Sequence, residues 1–182
     1  MRWSKLRALI ESRFCPELKG RITINSTRHG NCSCGHAWLT MDRKVIANFC
    51  TRAFWNTGPR FDPERGRFVS RKPTEKQNAR YKDQFVEYGE LSRQDAYVSC
   101  FDFIHSPSIE EALKSEDPLI QTLAVLDERL GDRRIKQIDP SLLHPLAKKL
   151  LQEREQAHHR GPNPPTPCGS SEAPASVMPD GI

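Results

Sequence analysis

The sequence has no apolar run long enough to cross a bilayer. Near its start the longest run is Ala8-Leu9-Ile10, closely flanked by Arg7 and Glu11. A spanning helix needs about 20 apolar residues and a secretory leader about 7–15, so neither is expected and the reading is a cytoplasmic protein with no membrane partner. Marks of catalysis are missing as well. The chain contains no D-x-D, H-E-x-x-H or G-x-x-x-x-G-K-[ST] pattern, the spacings that assemble metal-assisted hydrolysis and phosphate cradles. Cys32 and Cys34 have His29, His36 and Arg28 nearby, but nothing supplies a third, orienting group, so the chain does not read as an enzyme. Hydrophobic residues are scarce, at 36%, and the mean hydropathy is -0.68.

Part of that scarcity is local. Residues 157–182 hold 6 of the 14 prolines and show no apolar period, so they cannot bury enough surface to offset the entropy of ordering. They are read as a disordered Pro/Gly/Ser-rich tail. Residues 1–156 are long enough for one hydrophobic core.

Charge is unevenly spread. Residues 1–82 carry 18 Lys and Arg against 6 Asp and Glu, whereas residues 83–116 carry 2 against 8. The net charge of +5 therefore hides a basic first half beside an acidic segment. Such asymmetry fits a polyanionic partner, or two halves of one fold that neutralise each other.

Periodicity divides residues 1–156 into a single α+β domain. A helix is expected at the start, with Ser4 as cap, Leu6, Leu9, Ile10 and Phe14 on one stripe and Trp3 folded onto it. Pro16 and Gly20 break it. Three stretches alternate as strands do, "RITINST", "HAWLTM" and "KVIANFCT", and only Asp42-Arg43 and their neighbours separate the last two, a hairpin spacing. A three-stranded antiparallel meander follows, and residues 1–55 form helix plus meander. Residues 56–73 read as an Arg-rich loop with a short strand at Arg67-Phe68-Val69. From Pro73 the period becomes helical, and residues 74–156 hold four or five helices. Expected starts are Thr74, Ser92 with Tyr97, Cys100, Phe101 and Ile104 inward, Ser106-Pro107, and Asp117-Pro118 running to a stop at Gly131. Leu142, Leu146 and Leu150 line the closing helix.

Six segments in order carry a resemblance: "WSKLR" at 3–7, "LKGRI" at 18–22, "AWLTMDRKVI" at 37–46, "SIEEAL" at 108–113, "DPLIQTLAVLDERLGDRRI" at 117–135 and "HPLAKKLLQERE" at 144–155. Together they resemble a family of small uncharacterised bacterial proteins. The resemblance implies a shared fold over residues 1–155 and a bacterial origin, and it brings no activity with it. Members of that family carry a glycine where this chain has Arg43, a lysine where it has Asp132, and no cysteine cluster in the first hairpin loop.

That cluster is "RHGNCSCGHAW", residues 28–38. With Cys50 it offers Cys32, Cys34 and His36 as ligands for a small structural zinc site, and His29 is within reach. It supplies one C-x-C and no second knuckle, so no metal or other cofactor is expected and the thiols are read as reduced. Cys100, on an apolar helical face, is read as a core residue. Glu110-Glu111 and Asp127-Glu128 are read as solvated faces or partners of Arg133 and Arg134. The remaining candidate is basic. Arg60, Arg65, Arg67, Arg71 and Lys72 form a loop that would dock an acidic protein partner, and the reading is a non-enzymatic protein-interaction module. With Arg21, Arg28, Phe61 and Phe68, the same residues offer the alternative of nucleic-acid binding.

Overall fold

The computed structural model describes residues 1–28, 34–57, 60–62, 67–69, 85–105 and 108–160, of which 60–62, 67–69, 159 and 160 as backbone alone. The order is α1 (Trp3–Ser12), β1 (Ile22–Arg28), β2 (Gly35–Met41), β3 (Lys44–Cys50), α2 (Thr51–Thr57), β4 (Arg60–Asp62), β5 (Arg67–Val69), α3 (Arg93–His105), α4 (Ile109–Leu113), α5 (Pro118–Leu126), α6 (Asp132–Ile135), a 3-10 turn (Pro140–Leu142) and α7 (Pro145–Arg160). The chain is α+β, with an N-terminal helix, a three-stranded antiparallel sheet and then helices.

The meander forms because its strands alternate. Ile22 and Ile24, Ala37 and Leu39, and Ala47 and Phe49 are buried on one face, whereas Thr23, Asn25, Trp38, Thr40 and Asn48 occupy the other. The β2–β3 turn falls on Asp42 and Arg43, with φ of 49° and 67°. Two left-handed residues match the twist of the strands they join. Asp42 is fixed there by a two-pronged pair with Arg21, at 2.9 and 2.7 Å. Between Leu39 and Thr40 the register shifts: Leu39 faces Ala47, Thr40 faces Val45, and Ile46 is the extra residue. That bulge lets Ile46 and Ala47 both turn inward, and the Ile46 carbonyl accepts from Phe85 N–H at 3.3 Å.

α1 and α3 meet the inner face of the sheet, and α5, the most buried helix, lies between α3 and α7. Leu6, Ile10, Leu119, Leu123, Leu126, Leu146 and Leu150 fill the space between them and are fully buried. Burial stabilises each such side chain by roughly 1.5–3 kcal/mol.

Several expectations are corrected by the packing. α1 has Arg2 as its cap position, with no side-chain cap from Ser4, and Leu9 is 37% exposed. A helix, α2, follows β3 directly, where the third strand was expected to run on to Thr51 and the loop to begin at 56. Residues 60–62 and 67–69 pair as a second, two-stranded ladder, so the strand at 67–69 has a partner. Residues 85–90 are bends and turns, not the end of a helix starting at Thr74. Residues 74–84 lie outside the described residues. α3 has the expected cap: Ser92 Oγ accepts from Asp95 N–H, and the Asp95 carboxylate accepts from Ser92 N–H. Its inward face is rotated, however, to Ala96, Ser99, Cys100 and Phe103, with Phe101 stacked outside against His105 at 4.2 Å. Small side chains at 96 and 99 let α5 approach, and Ser99 Oγ donates to Asp117 at 2.6 Å. The α4 cap is Ser108. α7 starts at Pro145, leaving Leu142 78% exposed, and runs on to Arg160, past the boundary drawn at 156.

α5 ends at Leu126 rather than near Gly131. Cys15 N–H donates to the Leu126 carbonyl and Glu128 N–H to the Arg13 carbonyl, so residues 126–128 bridge to the segment after α1. Arg154, 6% exposed, reaches in from α7 and donates to the carbonyls of Val125, Asp127 and Leu130 at 2.7, 2.9 and 2.6 Å. It thereby satisfies the Val125 carbonyl, which has no intrahelical partner at the end of α5, and two carbonyls of the turn that follows. Asp127, read as solvated, is fully buried and held by Arg129 at 3.0 and 2.9 Å. Glu110 does pair with Arg134, at 3.0 Å.

Candidate functional site

Three places in the fold gather chemically capable side chains. The first is the cysteine cluster. Cys34 is 5% exposed and its sulfur is held in a disulfide, which corrects the reading of reduced thiols at that position. A disulfide sulfur cannot serve as a thiolate ligand. Cys50 is a free thiol at the register partner of His36, whose ring lies 4.7 Å from that of Trp38. Cys32 and His29 lie outside the described residues. Among the described residues no group of three His, Cys, Asp or Glu side chains is placed to hold a metal ion.

The second is a cavity of about 980 Å³ between the α1–β1 connection, α6 and α7, lined by Glu17, Asp132, Ile135, Arg154, Glu155 and His158. Nothing in the sequence points to it, because its residues come from three separated segments. His158 sits between Glu17 and Asp132, with Nδ1 3.8 Å from one carboxylate and Nε2 3.5 Å from the other. Cys15 lies close to Glu17, fully buried. Burial pushes its thiol up to about 11, against the smaller opposing pull of the Arg154 charge. Burial also works to raise the Glu17 carboxyl, but hydrogen bonds from its own backbone and from Cys15, with the Arg154 charge, bring it below the usual range. The thiol is therefore protonated at neutral pH, and a nucleophile needs the thiolate.

The third is the end of the sheet away from the Asp42-Arg43 turn. Thr27, His36 and Cys50 form a row across β1, β2 and β3. One step further lie Arg28, paired with Gly35, and Thr51, where α2 begins. Thr51 is 1% exposed: its hydroxyl donates to Gln94 Oε1 at 2.7 Å and accepts from Arg93 N–H at 3.2 Å, so α2 and the start of α3 are tied together. Arg93 in turn lies over Gly35. A Cβ there would fall 2.1 Å from the Thr27 carbonyl oxygen, 2.9 Å from Arg93 Cδ and 3.0 Å from Arg28 Cα, so glycine is what lets these chains meet. Arg28 and Arg52 are exposed and make no ion pair with a described residue, and Trp55 on α2 is 54% exposed. α2 leads straight to β4, in which Arg60 faces Val69 and Asp62 faces Arg67 in the backbone register. Of the basic residues singled out from sequence, Arg60 and Arg67 thus stand on a two-stranded ladder beyond α2. Arg65, Arg71 and Lys72 lie outside the described residues.

The chain is an α+β protein in which the sheet end away from the hairpin turn carries the exposed Arg28 and, on α2, Arg52 and Trp55. The profile of the SF0329 protein family, a family of unknown function, matches residues 2–155. The chain belongs to that family. No curated protein and no solved structure matches it. Among the described residues, no helix is long and apolar enough to cross a membrane.

Proposed function

We propose that the protein is a non-enzymatic interaction module that docks an acidic protein partner on the basic end of its sheet. The observation that carries this reading is the exposed trio Arg28, Arg52 and Trp55, whose two cations have no counter-charge among the described residues. Arginine and tryptophan supply a large share of interface hot spots, because each combines extended contact area with a directed polar group. The ion pairs among the described residues leave this charge uncancelled by the acidic segment. Among the described residues none links a cation of residues 1–57 to a carboxylate of 85–116; Arg7 pairs with Glu11, and Arg21 with Asp42 and Glu153. Glu90 instead meets His144 at 2.8 Å, and Glu110 meets Arg134. The buried, protonated Cys15 also speaks against nucleophilic chemistry in the cavity beside it.

The test is affinity capture by the full chain from its native host, with and without nuclease, beside two variants. One is Arg28→Glu/Arg52→Glu/Trp55→Ala; the other is Arg65→Glu/Arg67→Glu/Arg71→Glu. A protein partner that survives nuclease and is lost in the first variant is the expected result. A partner lost on nuclease treatment would favour nucleic acid, for which the neighbouring rings of His36 and Trp38 on the outer sheet face are the supporting feature. Equal capture by the wild type and both variants would refute the docking site.

A further inference from the structure

Arg93 is one of the buried and half-buried arginines that has no carboxylate partner. Arg7 donates to the Glu11 carboxylate and Arg21 to that of Asp42, with Glu153 as a second ion-pair partner at 3.6 Å; Arg13 donates to the Ile104 carbonyl, and Arg154 to three carbonyls. Arg93, half-buried like them, gives its Nε proton to a neutral hydroxyl, Ser26 Oγ, at 2.8 Å. Its two terminal nitrogens bond to no described residue and are not sealed from solvent. A half-buried charge without a counter-ion keeps its desolvation cost and gains no Coulombic return. Arg7 and Arg21 receive that return from carboxylates; Arg93, like Arg13 and Arg154, does not, and neither of its terminal nitrogens has a described acceptor, whereas Arg13 uses one and Arg154 both.

The side chain is nonetheless held still. Its backbone is anchored on Thr51, its Cδ lies on Gly35, and its Nε is fixed by Ser26. With Nε occupied, the terminal N–H groups form a fork facing outward. A fork of that kind matches the two oxygens of one carboxylate, and its preorganisation reduces the rotamer entropy lost on binding. Arg28 and Arg52 flank it from β1 and α2, and they raise the local positive potential without closing the site.

Resting on the reading of this end as an acidic-partner site, we propose that Arg93 is its carboxylate receptor: an Asp or Glu side chain of the partner is gripped two-pronged by the Arg93 terminal nitrogens, with Arg28 and Arg52 steering it in. Three cations gathered at one sheet end fit a short acidic segment. A nucleic-acid strand would call for a continuous basic groove.

The probe is a fluorescein-labelled glutamate decamer, with an oligothymidine of equal length as the other arm, measured by anisotropy against the full chain at low salt. The decamer is expected to bind more tightly than the oligothymidine. Arg93→Lys keeps the charge but loses the fork, and should weaken the decamer about tenfold with the melting temperature close to wild type. Ser26→Ala frees the guanidinium while leaving it present and should weaken binding about threefold, a loss that a bulk charge effect would not produce. Unchanged affinity in Arg93→Lys, with loss in Arg28→Glu/Arg52→Glu, overturns the receptor and leaves the docking site standing. A wild type that ignores the decamer, or prefers oligothymidine, overturns both.

Discussion

Replacing Arg154 by methionine should destabilise the domain by about 3–5 kcal/mol, the range for removing one partner of a buried charged network. The magnitude follows from what the guanidinium holds. Three carbonyls, of Val125, Asp127 and Leu130, lie at 2.6–2.9 Å from its terminal nitrogens in a buried environment. Each acceptor left without a partner costs roughly 1–3 kcal/mol. Methionine fills much of the volume and relieves the cost of burying a cation, so the sum over three acceptors is an upper bound. Arg154→Lys keeps the charge but cannot span three acceptors in one plane, and should fall between wild type and methionine. Urea unfolding followed by circular dichroism measures both. The midpoint should drop with little change in slope if the native state is otherwise preserved. A loss under about 1 kcal/mol in Arg154→Met would mean that water reaches these carbonyls. The claim that Arg154 ties α7 to the end of α5 would then be wrong.

Two further outcomes are expected. Arg43→Gly should stabilise the chain by about 1 kcal/mol, because a side chain in the left-handed region at φ 67° is strained by roughly that amount and glycine is not; for a domain of this size the melting temperature should rise by about 2–4 °C, and a fall would refute it. Cys15 should resist iodoacetamide at pH 8, and the folded chain should hold its proton up to about pH 11 while the unfolded chain releases it near pH 9. The unfolded state then binds fewer protons between those values, so any stability wild type holds over Cys15→Ala should shrink as pH rises from 9 to 11, by roughly 2–3 kcal/mol. A constant difference would contradict the burial of that thiol.

The parts of the fold legible in the sequence are those whose cause is local. The β2–β3 hairpin was readable because Asp42-Arg43 interrupts two alternating runs. The α3 and α5 starts were readable because Ser92 and Asp117 cap through bonds to residues two or three positions on. What failed was decided from a distance. The end of α5 is set by backbone bonds to Arg13 and Cys15 and by Arg154, more than 20 residues away in sequence, so a caps-and-periods reading carried the helix on toward Gly131. The inward face of α3 was misread because hydrophobicity favoured Phe101 over Ser99, whereas close approach of α5 selects for size. α2 was missed since a seven-residue helix has scarcely two turns in which to show a period.

The uneven charge is countable in the sequence, but where the unpaired cations sit in the fold is not. Counting charge located a basic first half, and an Arg-rich loop was the natural focus because its cations are consecutive. The structure adds a criterion that counting cannot apply, namely whether a cation has already been used. Arg21 was grouped with the nucleic-acid candidates, yet it is occupied by Asp42 and Glu153 in holding the hairpin turn. Arg93, by contrast, sits inside the acidic segment, where sequence arithmetic treats it as a charge already outnumbered. Its neighbours in space are Ser26, Gly35 and Thr51, none of them a carboxylate. Net charge along a chain measures what is available only when neighbours in sequence are neighbours in the fold. At this sheet end they are not, and a cation from the acidic half joins Arg28 and Arg52 from the basic half on one surface.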